Sequence, residues 1–267
     1  AVTNNANVIS MSLGGFGSSP IMEEGVRQAV LQGVPVVVAA GNHGPRYFTI
    51  NTPGITEEAI TVGASSQLLS GQSDNVNAVA DFSSRGPARP KYNLKPDVVA
   101  PGVNICAARA KNSLFDIYLP QNCGNPEYIA LSGTSMATPH VAGAVALMLQ
   151  ANPSWTPNQI KSALMGNSVQ LYRSSPLIDY YLVNIFEQGA GRLILKNSIH
   201  SNSFTEPNSI NLGIINPAQS SFSTAFNLSF NKSGNIGYVL KDFAIKIADK
   251  NSYNSYPIEI NEQGCIS

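Results

Sequence analysis

Two patterns of apolar spacing share this chain. Up to about residue 200, short continuous apolar runs alternate with amphipathic stretches; beyond about residue 202, apolar and polar residues alternate with period two. Asn-Val-Ile-Ser-Met-Ser-Leu at 7–13 ends in Gly14-Gly15 and reads as an interior strand. Val-Pro-Val-Val-Val-Ala-Ala at 34–40 has no polar position, the pattern of a strand buried on both faces in a parallel sheet. Between them, Ser19-Pro20 offers a cap and a first-turn proline, Glu23 and Glu24 complement the helix dipole, and Gly33 closes the pattern, which predicts a helix over 20–32. Strand, helix, strand in this order implies a right-handed parallel crossover, hence an α/β fold with helices flanking a parallel sheet.

The pattern continues with short strands at 59–64, 97–100 and 103–107, then a strand at 128–131 that turns through Gly133-Thr134 into an apolar helix. Asn-Pro-Ser-Trp-Thr-Pro at 152–157 ends that helix and caps another over 157–166, with Trp155 as a core anchor. Residues 109–127 read as a surface insertion. The period-two segments at 209–215, 222–230, 238–240 and 243–248 predict strands. Four strands are few for a sandwich, so the expected organisation is an α/β unit over 1–200 and an incomplete β-rich unit over 201–267.

Composition narrows the function classes. The 267 residues carry 16 basic and 16 acidic side chains, which points to neither nucleic acid nor an anionic surface. The longest apolar runs, 34–40 and 141–149, fall short of the ~20 residues that span a bilayer, and no basic-then-apolar leader opens the chain. Three cysteines, Cys106, Cys123 and Cys265, fit neither a disulfide-dense scaffold nor a thiol metal site. Cys106 and Cys123 flank the insertion, where one bridge or two free thiols are both open. Asn227-Leu-Ser and Asn231-Lys-Ser are glycosylation triplets of a kind common by chance.

Candidate chemistry centres on Ser135. A serine where a strand turns into a helix has its hydroxyl near unpaired backbone N–H groups and the positive end of the helix dipole. Taken alone it is either a capping residue or a nucleophile. Asn42 likewise, at a strand end between glycines, is either a turn residue or a polar group at the mouth of a site.

Gly-Thr-Ser-Met-Ala-Thr-Pro-His-Val-Ala-Gly at 133–143 resembles the segment around the nucleophile of the subtilisin-like serine proteases. Ala-Ala-Gly-Asn at 39–42 is similar to the family segment whose asparagine amide enters the oxyanion hole, and Lys-Pro-Asp-Val-Val-Ala-Pro-Gly at 95–102 also resembles it. The resemblance implies an acyl-enzyme on Ser135 with Asn42 as oxyanion donor. It implies Ser12, Leu13 and Gly14 as a strand that pairs with the substrate backbone, and Ala39, Ala40 and Gly41 as lining of the pocket for the residue before the cut. Gly-Ala-Gly-Arg-Leu-Ile-Leu at 189–195 looks like the close of the family's catalytic domain, and the Leu-Gly-Ile strand near 212 like the start of a following sandwich-like domain.

The family order is Asp, His, Ser, and no segment like the Asp or His motif occurs in these residues. His140, five residues past Ser135 at about 100° per residue, points away from it. His43 reads as a loop residue that affects specificity, His200 as surface, and Asp97 as a structural carboxylate holding a turn. The expected partners are therefore a polypeptide substrate and an N-terminal part of the catalytic domain carrying Asp and His, on a separate chain or missing from this one. Without it, residues 1–200 are expected to be unstable and inactive. The alternative is a non-catalytic relative acting as a binding or regulatory module; peptide ligation shares the same ester and is not separable from hydrolysis by sequence. No cofactor is required by this chemistry. Calcium often accompanies the family, although no carboxylate cluster in the chain has metal-ligand spacing. Secretion is implied by the resemblance alone.

Overall fold

A four-stranded parallel sheet sits at the centre of the chain, in the order β1-β2-β3-β4. These strands are β1 (Ile9–Met11), β2 (Val36–Ala39), β3 (Ile60–Ser65) and β4 (Val98–Pro101), with helix α1 (Pro20–Leu31) crossing from β1 to β2. The computed structural model describes residues 1–66, 79–118, 123–175, 178–211, 229–232, 244–248 and 253–257. Ile9 lies opposite Val36, Val37 opposite Ile60, and Val62 opposite Val98. Beyond β4 come the antiparallel pair β5 (Ile105–Ala108) and β6 (Tyr128–Leu131), with a short helix α2 (Leu114–Tyr118) between them. The long helix α3 (Thr134–Ala151) and α4 (Pro157–Gly166) follow.

The unbroken apolar run of β2 has a direct cause. Val36 and Val38 face α1, packing with Val26 and Ala29, whereas Val37 faces Val141, Val145 and Met148 of α3 and the Ile160–Leu164 side of α4. Successive strand side chains point to opposite faces, so a strand covered on both sides needs apolar residues at every position. Helix α1 starts at Pro20 as expected, but the Ser19 hydroxyl does not cap it; the Glu23 carboxylate accepts from the Ser19 N–H at 2.9 Å instead. Helix α4 opens with a reciprocal cap, Gln159 N–H to Thr156 Oγ1 and Thr156 N–H to Gln159 Oε1. Trp155 anchors this corner, edge-on to Phe204 with ring centroids 5.0 Å apart.

The remaining elements are β7 (Tyr172–Ser175) with β8 (Ile178–Leu182), α5 (Ile185–Gln188), α6 (Leu195–Ser198), and β9 (Ser203–Glu206) with β10 (Ser229–Lys232). The segment after Gly189 runs beside β4, with Leu193 N–H donating to Val99 O and Val99 N–H to Gly191 O. Residues 1–232 form one unit; residues 233–267 form another, in which β11 (Ala244–Ala248) pairs antiparallel with β12 (Tyr253–Pro257). Of the strands expected at 209–215, 222–230 and 238–240, residues 212–228 and 238–240 lie outside the described residues, as does Cys265.

Asp97 does more than hold a turn. Its carboxylate, buried at the start of β4, meets Lys95 Nζ at 2.6 Å and Lys161 Nζ of α4 at 3.0 Å, and accepts the Thr61 N–H at 2.7 Å. Both ammonium groups also donate to the Ala59 carbonyl, and Lys161 to that of Glu57 at 2.7 Å. Two buried cations thus share one carboxylate. Burial lowers Lys95 from 10.5 to about 7, against the pull of Asp97; burial also raises Asp97, but the two lysines and the Thr61 N–H together outweigh it and hold Asp97 below its usual 3.8. Between pH 7 and 10.5 the unfolded chain therefore holds the Lys95 proton more tightly than the folded one, so stability gained from this group rises with pH across that window. The Asp97 contribution runs in the same direction at lower pH, fully present above its unfolded value and lost as pH falls through the folded one. Thermal unfolding of the protein is expected to shift upward from pH 7 towards 10.5, by about 2–4 °C per kcal/mol gained. Lys95→Met should flatten that rise; an equal slope in both proteins would assign it elsewhere.

Candidate active site

The turn from β6 into α3 brings three parts of the chain together. Gly133 N–H donates to the Gly102 carbonyl at 2.8 Å, which ties the turn to the end of β4. Thr134 then reaches the loop after β2: its N–H and its hydroxyl both donate to Asn42 Oδ1, each at 2.9 Å, while its Oγ1 accepts the Gly41 N–H at 3.2 Å. Because both partners of Oδ1 are donors, the amide orientation follows, and the Asn42 NH₂ is the end left to donate outward. Asn42 is exposed and Ser135 half-buried, and Thr134 links the loop of the one to the helix of the other.

Ser135 is the second residue of α3, where a backbone N–H has no acceptor within the helix. Its own carbonyl is also left over. Pro139, four residues on and inside the helix, has no N–H to give it. Ser12, just past the end of β1, supplies the missing donor: its hydroxyl donates to Ser135 O at 2.8 Å. In return the Ser135 hydroxyl lies 3.4 Å from the Ser12 carbonyl. A proline within the helix thus locks the nucleophile candidate to the strand segment that resembles a substrate-binding edge.

That segment is exposed from Ser12 to Gly15, with Leu13 half in solvent. Gly15 exchanges both backbone bonds with Thr52 at 3.0 Å, which fixes the edge beside the Asn42 loop. A side chain at Gly14 would meet Thr52 O at 2.9 Å. On the other side Ala39 and Ala40 are buried, and Gly41 has φ +108°, with room for a Cβ closed by Ser84 Oγ at 2.8 Å and Asn51 at 2.9 Å. Of these six, Ser12 is bonded to Ser135 and Gly41 to Thr134, Leu13 and Gly14 are exposed, and Ala39 and Ala40 are buried.

Two of the histidines are engaged with other residues. His140 Nδ1–H donates to the Met136 carbonyl at 2.8 Å on α3 itself, and the His43 ring lies against Phe16 with centroids 4.0 Å apart. Among the described residues no three His, Cys, Asp or Glu side chains converge as metal ligands, and the oxygens around Asp97 are taken by two ammonium groups. These donors do not fit a calcium ion. Cys106 and Cys123 are bonded to each other, which settles the alternative left open by their spacing. Among the described residues no helix is long and apolar enough to cross a membrane.

The sequence profile of the Subtilase family matches residues 1–198. The chain belongs to the subtilase family. Serine protease AprX of Bacillus subtilis (strain 168) is 40% identical over 201 residues, 72% of this chain and 42% of that protein. Subtilisin BL of Lederbergia lenta is 36% identical over 171 residues, 64% of this chain and 52% of that protein. Fervidolysin from Fervidobacterium pennivorans, a keratinolytic enzyme related to subtilisin, superposes with a TM-score of 0.57 at 28% identity, over 76% of this chain and 29% of that one. The chain thus spans about half or less of these relatives, and its four-stranded sheet with flanking helices is subtilisin-like.

The roles of Thr134 and Pro139 are not apparent from sequence, although the proline four residues after Ser135 is the visible sign of an orphaned carbonyl in this subtilase helix. Gly41→Ala is expected to destabilise the protein by about 1–3 kcal/mol in chemical denaturation, since it adds a Cβ both at a left-handed φ and against Ser84. An unchanged midpoint would mean that the Asn42 loop relaxes freely.

Proposed function

We propose that this subtilase chain carries the nucleophile and the oxyanion donor of a serine endopeptidase. The observation that carries the reading is the amide of Asn42, turned outward by two bonds from Thr134, the residue next to Ser135. In the proposed reaction Ser135 Oγ attacks the scissile carbonyl. Its proton passes to a histidine base oriented by a carboxylate, both supplied from outside this 267-residue chain. The developing oxyanion accepts from Asn42 Nδ2 and the Ser135 N–H; collapse expels the amine, protonated by the same histidine, and water or a second amine then opens the ester. Ser12, Leu13 and Gly14 take the substrate backbone as an added strand, and the backbone of Ala39, Ala40 and Gly41 borders the preceding side chain.

The partner that brings the base has a surface to meet. Pro139, His140, Gly143, Ala146 and Leu147 form an exposed stripe along α3 beginning beside Ser135, and glycine and alanine there permit close approach of another element. In this reading the chain alone is inactive. A disulfide such as Cys106–Cys123 persists in oxidising surroundings, which supports work outside the cytoplasm.

The test uses the full-length protein. A fluorophosphonate probe should label it at Ser135 and fail on Ser135→Ala; no labelling of a folded full-length protein would favour the non-catalytic reading. Asn42→Leu should lower kcat about 10²- to 10³-fold, the loss that removal of an equivalent donor causes in subtilisin, with little change in KM. Thr134→Val should cost a smaller factor, about tenfold, with Thr134→Ser restoring it, because the hydroxyl only orients the amide.

A further inference from the structure

Helix α2 is turned inside out. Of its five residues, Leu114, Phe115, Ile117 and Tyr118 are 72%, 58%, 62% and 73% exposed, while its one charged residue, Asp116, faces inward with a side chain 21% exposed. Asp116 is the clamp: it accepts the Asn112 N–H at 2.7 Å and lies 3.4 Å from Arg109 Nε, and its own N–H donates to Ser113 Oγ at 3.2 Å. The Cys106–Cys123 bridge staples the base of the same loop. Polar and covalent ties thus hold four large apolar side chains out in water, the reverse of ordinary helix packing.

The knob is continuous with the active-site turn. It projects from the β5–β6 pair, in which Ala108 opposes Tyr128 and Cys106 opposes Ala130. Directly opposed residues share a face, so one side of this pair is wholly apolar, and of these four only Ala130 is not exposed. Strand β6 then runs into Ser132, Gly133 and Ser135. The pair also lies on the far side of Ser135 from the Ser12 segment: Ser12 follows β1, whereas β5 follows β4, at the opposite edge of the four-stranded sheet and about 14 Å away at the usual strand spacing. A chain laid on Ser12, Leu13 and Gly14 before the cut leaves Ser135 towards β5 and β6.

We propose that α2 and the apolar face of β5–β6 form an exosite for an apolar stretch of polypeptide substrate downstream of the scissile bond. Extended chain advances about 3.3 Å per residue, and Tyr128 stands seven positions before Ser135 at the far end of the strand that leads to it, so contact with Tyr128 and α2 is expected roughly five to eight residues past the cut. The proposal rests on the protease reading of Ser135 and is tested apart from it. Two long peptides sharing one cleavage sequence, with either Leu-Phe-Leu-Phe or Ser-Gly-Ser-Gly in that downstream window, are compared with a short chromogenic peptide on the full-length enzyme.

The enzyme should prefer the apolar-tailed peptide by about tenfold in kcat/KM. The combined variant Leu114→Ser, Phe115→Ser, Ile117→Ser, Tyr118→Ser should lose that preference while cleaving the short peptide within about twofold of the original. Phe115→Ser alone, on the surface, should lose part of it with an unchanged melting temperature. Equal cleavage of both long peptides, or an undiminished preference in the combined variant, overturns the exosite. So does a variant that changes only sedimentation or vesicle binding, which would assign α2 to a second copy or a lipid surface. If the short peptide is not cleaved at all, the protease reading fails; fluorescence anisotropy of the two long peptides on the Ser135→Ala protein then still decides whether α2 selects the apolar one.

Discussion

The arrangement around Ser135 depends on one pair of hydrogen bonds, those from the Thr134 N–H and hydroxyl to the Asn42 side-chain carbonyl. They join residues 92 positions apart in sequence, the loop that ends β2 and the first turn of α3. They also use up the acceptor end of the amide, leaving its donor end to the solvent. A helix N-terminus ordinarily leaves four N–H groups unsatisfied; here one is spent on Asn42 and the next, on Ser135, stays available. The same helix is deprived of one internal bond by Pro139, and the carbonyl so released is held by Ser12. Donors and acceptors removed from regular structure are thereby converted into links between β1, β2 and α3.

The sheet makes those links rigid. β2 is apolar at every position because α1 covers one side of it and α3 the other, so the loops at the carboxyl ends of β1, β2 and β4 emerge from a packed base. At the opposite ends of β3 and β4, Lys95, Asp97 and Lys161 pin α4 to the sheet through one carboxylate and two backbone carbonyls. That ion cluster is a structural clamp placed away from Ser135, and its excess of positive charge is tolerated because the carbonyls of Glu57 and Ala59 accept from the ammonium groups.

Much of this is legible in residue order. The apolar run at 34–40, the Ser-Pro and Thr-Pro helix starts, and the string 133–143 announce the parallel sheet, α1, α4 and the Ser135 turn within a residue or two. Local pattern suffices there because each element is bounded by turn or first-turn residues within a few positions of its ends. The Lys95–Asp97–Lys161 cluster is not legible, since Lys161 is 64 positions from Asp97 and looks like any helix-surface lysine until α4 is docked. Ser19 reads as a side-chain cap, yet Glu23 takes the bond, a competition between two local acceptors that spacing does not decide. The inside-out character of α2 is hidden as well, because Leu-Phe-Asp-Ile-Tyr has the composition of a buried turn and only its ties through Asp116 expose it.

The central claim is that Ser135 and Asn42 act on one carbonyl. The most direct measurement is a crystal structure of the full-length protein reacted with a peptidyl boronic acid. The account predicts boron bonded to Ser135 Oγ, with one boronate oxygen about 2.7–3.1 Å from Asn42 Nδ2 and Thr134 still donating to Asn42 Oδ1. A boronate bonded elsewhere, or one whose oxygens face solvent while the Asn42 amide stays unengaged, would contradict it.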